Sequence, residues 1–327
     1  MTNETIFDVA VIGSGGAGQM AILRAVLNHL KTVVFLGDKD TIRRGRATWV
    51  TEVDNIPGMF NRKHPITATT RETIGFIEKN EDLKRYLTTL KLAVKTIRKE
   101  NGLFELASGD ETVKARFVIL CTGTMDVQPQ IKGSIEPIFP YANRGDVLYC
   151  IRCDGHRVVG HACAVIGHTG VAGWIAVMLR ERYELTDLYV LTHGKPFEGS
   201  EEIRGLLQKY NIPILDGEIE AILGDPKKGL RGFKLPQKTL QVTKAFVALG
   251  SIVYNDLAKQ LGVKLSDRAH VLTNEYGETS VNGFYAAGDL VEGKKKQVYT
   301  AWDLAVDAVD DIDEKIRIQK RQTLQVN

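Results

Sequence analysis

Two stretches of the chain repeat the same order of apolar strand, glycine-containing turn and amphipathic helix. The first starts with the apolar run Ile6–Ile12, passes through glycines, and continues with apolar residues at helical spacing to Leu30. The apolar run 32–36 completes a strand–helix–strand unit of about thirty residues. The second stretch starts at 162–166, passes a second glycine turn and reaches the apolar run Leu188–Leu191. This pattern predicts an α/β fold with two nested Rossmann-like dinucleotide-binding domains.

Between these stretches the hydrophobic pattern changes twice. Residues 66–90 have apolar residues at helical spacing, whereas 91–118 alternate in the manner of a β-meander with a turn at Gly109. The segment that starts at Thr51 is rich in turn-forming residues and follows what we predict to be a short strand.

The first turn has glycines at the three places that a dinucleotide-binding turn requires. Gly13 permits the tight turn, Gly15 lets the backbone approach a pyrophosphate, and Gly18 lets helix and strand pack closely. The N-terminus of the following helix faces the phosphate charge. Asp38, one place later than the usual acid after the second strand, is a candidate for ribose binding. The candidate cofactor-binding residues of the turn itself are Gly13, Ser14, Gly15, Gly16, Ala17 and Gly18.

Two cysteines three positions apart, Cys150 and Cys153, are followed directly by Asp154. This spacing places both sulfurs on the first turn of a helix, where the dipole favours a thiolate. Asp154 is placed to move the proton that each thiol–disulfide interconversion loses or gains. The pattern predicts a redox disulfide. The alternative, half of a structural zinc site, needs a second Cys or His pair, but Cys121 and Cys163 each stand alone, so we predict no metal.

Composition and charge add limits to this picture. The 327 residues are 43% hydrophobic and 25% charged, which is typical of a globular protein with a sizeable core. The net charge of +3 is too small to indicate nucleic-acid binding. Since we find neither a membrane-length apolar run nor a signal-peptide pattern, we expect a cytoplasmic protein that does not bind a membrane.

Three motifs together resemble the low-molecular-weight thioredoxin reductases, flavoproteins with two dinucleotide-binding domains. They are the first glycine turn, the segment Thr-Glu-Val-Asp-Asn-Ile-Pro-Gly from Thr51, and Cys-x-x-Cys-Asp-Gly from Cys150, and they follow the family's order along nearly the whole chain. The resemblance implies that the first turn binds FAD and that Thr51 and Asn55 lie close to the flavin. Arg46, which ends the polar and basic segment before this loop, is a further candidate for cofactor binding.

The resemblance extends to both sides of the cysteine pair. Thr122 and Gly123 resemble the family's Ala-Thr-Gly turn, where the chain leaves the FAD domain. Gly288 and Asp289 resemble the Gly-Asp turn that receives the ribityl and phosphate region of FAD. The family's Arg-Gln-Ala near the flavin corresponds here to Lys296, Gln297 and Val298. We therefore predict a discontinuous FAD-binding domain, 1–118 and 246–327, around an inserted domain, 119–245, that carries the dithiol and a degenerate nucleotide site.

The expected NADPH motifs depart from the family at three places. Thr169 stands where the second turn needs its middle glycine, His193 and Lys195 stand without the family's pair of arginines, and Ser251 replaces a histidine. These departures are similar to those of ferredoxin-linked and diflavin-linked disulfide oxidoreductases. They place NADPH in doubt and leave open ferredoxin as electron donor and a second flavin per chain. The alternative is a divergent NADPH site that still works.

The predicted function is electron exchange between FAD and a thioredoxin-like protein through Cys150 and Cys153. By resemblance, Cys153 lies nearer the flavin, Cys150 is the exchanging thiol, Asp154 is the acid, and the protein is a homodimer. Three alternatives remain open: a conventional NADPH-dependent thioredoxin reductase, a dithiol oxidase that passes electrons to oxygen, and a flavin-binding redox sensor that does not turn over.

Overall fold

The computed structural model describes residues 5–38 and 45–324, which form two compact units. Of the described residues, the first unit takes 5–38, 66–125 and 253–324, and the second takes 45–65 and 126–252. The first unit is therefore built from three separate segments of the chain. The predicted ranges, 1–118 with 246–327 around 119–245, concern ligand binding and stay predictions. The compact units differ from those ranges mainly because 45–65 groups with the second unit.

A mostly parallel sheet forms the centre of the first unit. Ile6–Ile12 lies in the middle, parallel to Thr32–Phe35 on one side and to Glu111–Leu120 on the other. Leu87–Leu90 extends the sheet beyond Thr32–Phe35, and Phe284–Ala286 pairs in parallel with Glu111–Leu120. The central strands are buried on both faces, which explains their nearly unbroken apolar sequences.

Two helices of the first unit pack against each other next to this sheet. The crossover helix Gly16–Leu27 joins Ile6–Ile12 to Thr32–Phe35 and completes the predicted strand–helix–strand unit. Arg24 on this helix donates to Asp310 on the long helix Val298–Leu324 through Nε at 2.6 Å and Nη2 at 3.0 Å. This two-point ion pair fixes the register between the helices.

The β-meander of the first unit agrees with the prediction, but the helical region ends earlier than predicted. Thr96–Glu100, Leu103–Ser108 and Glu111–Leu120 pair antiparallel in sequence order. The prediction of a helical pattern through residue 90 is wrong for Leu87–Leu90, which forms a strand because it completes the edge of the parallel sheet. The helices of this region and the remaining helix of the unit are Pro65–Lys79, Glu81–Lys84 and Asp256–Gln260.

A second parallel sheet forms the centre of the second unit. Its order is Ile214–Leu215, Leu188–Leu191, Cys163–Ile166, Lys244–Val247 and Val147–Leu148, and every neighbouring pair is parallel. The helix that connects the second and third of these strands is Gly170–Arg182, and a further helix is Glu201–Lys209. This is the second predicted strand–turn–helix arrangement.

The remaining elements are short. A short strand was predicted before Thr51, but the structure has a 3₁₀ turn there, Arg46–Thr48. The other short helices and turns of the second unit are Glu136–Ile138, Phe139–Asn143, Ile151–Asp154 and Gly155–Val158. An antiparallel sheet contains Ala221–Asp225, Gly229–Lys234 and Thr239–Leu240, and a two-stranded sheet contains Thr124–Asp126 and Ser251–Val253.

Both units combine a parallel sheet with crossover helices, so the α/β prediction is confirmed. In the part of the chain that the structure describes, no helix has both the length and the apolar content that crossing a membrane requires.

Candidate active site

The two predicted redox cysteines form a disulfide in the second unit, with a Cα–Cα distance of 5.3 Å. Cys150 caps the single helical turn Ile151–Asp154, and the backbone N–H of Cys153 donates to Cys150 Sγ at 3.1 Å. The predicted helix is only one turn long, so its dipole is small. The backbone N–H of Cys153 is a donor that would stabilise a Cys150 thiolate in this turn.

Asp154 follows Cys153 directly in the same helical turn and is only 3% exposed. Burial raises the pKa of its carboxyl to about 6, although the positive charges of Arg157 and Arg46 oppose this rise. A carboxyl that titrates close to neutral pH can both give and take a proton under physiological conditions. The structure thus places a carboxyl that can exchange protons near neutral pH in the same helical turn as Cys153, and its role at the disulfide stays a prediction.

Aromatic side chains enclose the turn that precedes Cys150. Tyr149 donates to Gln128 Oε1 at 2.8 Å, and burial raises the pKa of its phenol. Trp49 packs against Phe139 at 5.1 Å and against Tyr149 at 6.0 Å between ring centroids. The Trp49 indole N–H is buried and finds no acceptor among the described residues. The aromatic side of this segment is therefore apolar, and the indole N–H of Trp49 is its one hydrogen-bond donor without an acceptor among the described residues.

The loop predicted to lie near a flavin belongs to the second unit. Arg46 donates to both carboxylate oxygens of Asp126, at 2.9 and 2.6 Å. Thr51 Oγ1 donates to the carbonyl of Asn143 at 2.8 Å. Asn55 lies half-buried in the same loop. Cofactor binding by Arg46, Thr51 and Asn55 stays a prediction.

The first glycine turn has the geometry that its sequence predicts. Gly13 has a φ of +96°, and a Cβ there would lie 2.6 Å from the carbonyl of Cys121. A Cβ on Gly18 would lie 2.0 Å from the carbonyl of Gly13. By contrast, a Cβ on Gly15 would meet nothing within 4 Å. The turn therefore requires glycine at Gly13 and Gly18 for packing, and at Gly15 it leaves the backbone open to a ligand.

Two helix N-termini meet at this turn. A Cβ on Gly16, which begins the crossover helix, would lie 3.6 Å from Val298 Cγ1 at the start of the last helix. A Cβ on Gly288 would lie 3.0 Å from Ala17 Cβ. Neither helix has an acidic residue in its first turn. Two unopposed positive helix ends beside an open glycine backbone suit the pyrophosphate of a dinucleotide, so these residues fit FAD.

The other predicted cofactor residues of the first unit are partly or fully buried, and two of them donate to backbone carbonyls. Thr122 Oγ1 donates to the carbonyl of Tyr254 at 2.6 Å, and Gly123 has a φ of +68°. Lys296 Nζ donates to the carbonyl of Val291 at 2.6 Å, and burial lowers its pKa. Gln297 is 7% exposed. Asp38, three residues after the end of the strand Thr32–Phe35, and Asp289, directly after Gly288, are half-buried.

Two threonines and a glutamine that the sequence pattern does not single out hold the first turn in place. Thr70 Oγ1 donates to the carbonyl of Ser14 at 2.8 Å. Thr69 Oγ1 donates to the Oε1 atom of Gln19 at 2.8 Å, and Gln19 is only 4% exposed. A glutamine among the apolar residues of the crossover helix was the one sequence signal for this contact, because its threonine partners are about fifty positions away.

The second glycine turn keeps its packing but not its open middle position. A Cβ on Gly167 would lie 2.6 Å from the carbonyl of Ala248 and 2.8 Å from Ala172 Cβ. Thr169 caps the helix Gly170–Arg182 with an extended backbone, φ −100° and ψ 167°. The fold of a dinucleotide turn is present, and a threonine side chain stands where the backbone would be open.

The residues that follow the next strand, Leu188–Leu191, offer few groups that could bind a phosphate. The backbone N–H of Ile219 donates to His193 Nδ1 at 3.0 Å, so Nε2 carries the proton and donates to the carbonyl of Gln130, also at 3.0 Å. Gly194 has a φ of +80°, which an arginine would adopt only with strain. Lys195 is exposed. Both nitrogens of His193 are thus used by the backbone.

The remaining cysteines show no reactive environment. Cys121 and Cys163 are free and buried, and burial raises the pKa of both thiols. Within residues 5–38 and 45–324, we find no group of three or more His, Cys, Asp or Glu side chains that could hold a metal ion.

Comparisons with known proteins agree with this arrangement. The family described as "Pyridine nucleotide-disulphide oxidoreductase" matches residues 7–308. Thioredoxin reductase of Mycolicibacterium smegmatis is 30% identical over 311 residues, which cover 92% of this chain and 93% of that protein. Thioredoxin reductase of Borreliella burgdorferi is 26% identical over 312 residues, 91% of this chain and 88% of that protein. These matches run through both units.

Solved structures show the same fold. The putative thioredoxin reductase TrxB of Bacillus anthracis has a TM-score of 0.80 at 21% identity and covers 96% of this chain and 99% of its own. Thioredoxin reductase from Giardia duodenalis has a TM-score of 0.79 at 23% identity, with coverage of 96% and 100%. The chain belongs to the pyridine nucleotide-disulphide oxidoreductase family and is a thioredoxin reductase-like, flavin-dependent enzyme.

Proposed function

We propose that the chain exchanges electrons between FAD and a thioredoxin-like protein through Cys150 and Cys153. The observation that carries this proposal is the disulfide with a buried acid, Asp154, in the same helical turn. A purely structural disulfide does not need a proton-transfer group, whereas a redox disulfide uses one in every cycle.

The residues of the second unit have separate roles in this cycle. When bound, FAD supplies the two-electron chemistry that reduces or reoxidises the disulfide. Reduction of the Cys150–Cys153 bond takes up two electrons and two protons, and exchange passes them to the partner, whose disulfide becomes a dithiol. Asp154 delivers and recovers a proton at the sulfurs. Cys153 takes the flavin side and Cys150 attacks the partner, where the Cys153 N–H stabilises its thiolate.

The names of the relatives support the proposed partner. Several relatives are named thioredoxin reductase, and one is a bifunctional thioredoxin reductase/thioredoxin from Mycobacterium leprae. These names support a thioredoxin-like protein as the disulfide partner. A homodimer stays the assembly that the sequence resemblance implies. Cys150 is only 9% exposed, so exchange with a protein requires the site to open.

The donor in this proposal is not NADPH. The Thr169 side chain occupies the position where a pyrophosphate needs open backbone. The backbone holds both nitrogens of His193, and the segment that bridges Thr169 carries the acidic residue Glu198. A negative charge beside Thr169 disfavours a pyrophosphate at this turn. A ferredoxin would then supply the electrons, or a second flavin on the same chain would relay them from an external donor other than NADPH.

A conventional NADPH-dependent thioredoxin reductase is the second candidate. The observation in its favour is the intact packing of Gly167 against Ala248 and Ala172, which preserves the shape of a dinucleotide turn. It is also what the names of the relatives suggest.

One anaerobic titration tests the function and the donor together. Dithionite should deliver about four electrons per FAD, two for the flavin and two for the disulfide. Uptake of only about two electrons would mean that the disulfide does not exchange electrons with the flavin. NADPH at equal concentration should leave the flavin oxidised, whereas stoichiometric bleaching would restore the conventional reductase. The flavin released per chain on denaturation shows whether a second flavin is bound.

A further inference from the structure

Asp154, which follows Cys153 in the chain, shares a small cavity with an arginine. The cavity lies wholly in the second unit and has a volume of about 10 Å³. Asp154 and Arg157 line it together with Thr51 and Glu52. This volume is at the lower limit for a single water molecule. Asp154 and Arg157 therefore border the same very small space, together with apolar and polar neighbours.

Two carboxylates from another part of the chain hold Arg157 in this position. Arg157 Nε donates to Asp54 Oδ2 at 2.8 Å, and Nη2 donates to Glu52 Oε2 at 3.0 Å. A Cβ on Gly145 would lie 2.7 Å from Arg157 Nη1, so glycine at this position leaves room for the guanidinium. The side chain of Arg157 is 18% exposed. These contacts fix both the direction and the depth of its positive charge.

The charge of Arg157 acts directly on Asp154. Burial raises the pKa of the Asp154 carboxyl to about 6, and Arg157 is the strongest influence in the opposite direction. Without this nearby cation, burial would raise the pKa of the Asp154 carboxyl further. The charged groups that face Asp154 are Arg157 and His156 from the following 3₁₀ turn, Asp54 and Glu52 from the 51–58 loop, and Arg46 from the turn Arg46–Thr48.

We propose that Arg157, clamped by Glu52 and Asp54, is a positioning residue that controls the proton which Asp154 gives to and takes from the dithiol. This inference rests on the proposed function and extends it to a residue that does not touch the sulfurs. His156 shares Asp54 with Arg157, through Nε2 and Oδ2 at 3.0 Å, and completes the clamp on its exposed side. The clamp thereby connects the loop that contains Thr51 and Asn55 to the acid.

The test measures the ionisation of Asp154 directly in the full-length protein. Carbon-13 NMR of aspartate carboxyls, assigned with Asp154→Asn, should give a wild-type midpoint at about pH 6. Arg157→Met should raise this midpoint by about one pH unit, a tenfold change in acid dissociation, because an opposing charge is lost. Arg157→Lys should fall between the two. Arg182→Met removes an equal charge from the exposed surface of the same unit and should leave the midpoint unchanged.

The direction of the shift separates this role from a structural one. If Arg157 only held the site together, its loss would hydrate Asp154 and lower the midpoint towards that of a free aspartate. A lower or unchanged midpoint in Arg157→Met would overturn the proposal, and Arg157→Gln gives the same test should the methionine variant not fold. The pH profile of dithiol exchange should move with the midpoint, and a profile that stays in place would also overturn it.

The NMR midpoint does not depend on turnover. Failure of this inference therefore leaves the proposed function intact, whereas absence of exchange in the wild-type protein would remove the proposed function without changing the midpoint.

Discussion

Replacement of Cys153 by serine should abolish disulfide exchange while the protein still binds FAD. The variant cannot form the bond to Cys150, so the flavin has no disulfide to reduce. The protein then has no dithiol that could exchange with the disulfide of the partner. We expect turnover to fall by at least about a thousandfold, as for the loss of a group on which covalent chemistry depends. Reduction of a thioredoxin-like disulfide, followed in parallel with FAD content per chain, measures both parts of this prediction.

The matched control is Cys163→Ala. Cys163 is a fully buried free thiol in the same unit, and its pKa is raised by burial, so it takes no part in exchange. Its loss leaves a small cavity and should lower stability only slightly, with exchange at close to the wild-type rate. Undiminished exchange in Cys153→Ser would remove the disulfide from the mechanism.

The second large effect is expected at the open glycine of the first turn. Gly15→Asp should reduce FAD affinity by about a hundredfold or more, equivalent to about 2.7 kcal/mol, because its carboxylate meets the pyrophosphate. The apoprotein should stay folded, since a Cβ at Gly15 meets nothing within 4 Å and aspartate is a favourable residue at a helix N-cap. FAD binding and the melting temperature of the apoprotein are the two measurements.

Gly15→Ser separates charge from bulk at the same position. Serine also caps a helix but carries no charge, so this variant should lose much less affinity than Gly15→Asp. Equal affinity in the aspartate variant and the wild type would show that this turn does not hold a pyrophosphate.

The features that the sequence predicted are those with local physical requirements. Gly13 and Gly18 have neighbours at which any side chain would collide, and the spacing of Cys150 and Cys153 suits closure across one helical turn. Such requirements can be inferred from a few consecutive residues. The strand Leu87–Leu90 could not, because its pairing with Thr32–Phe35 outweighs its helical spacing.

The features that the sequence did not reveal depend on residues far apart in the chain. Arg157 meets Asp54 across 103 positions and Glu52 across 105, and no local pattern indicates either contact. The same holds for Arg46 and Asp126, which are 80 positions apart. Their ion pair joins the 45–65 loop to the rest of the second unit. Local patterns of residues in a single amino-acid sequence contain no signal for ion pairs between such distant positions.

Repeated turnover tests the central claim most directly. Illumination with EDTA as sacrificial donor can reduce bound flavin without any nucleotide, and excess oxidised thioredoxin can then reoxidise it in the dark. We predict that repeated cycles yield thioredoxin thiols in large excess over the protein, and that Cys153→Ser yields none. A single round of thiols equal to the amount of protein, followed by no further reaction, would contradict the enzyme and indicate a redox sensor.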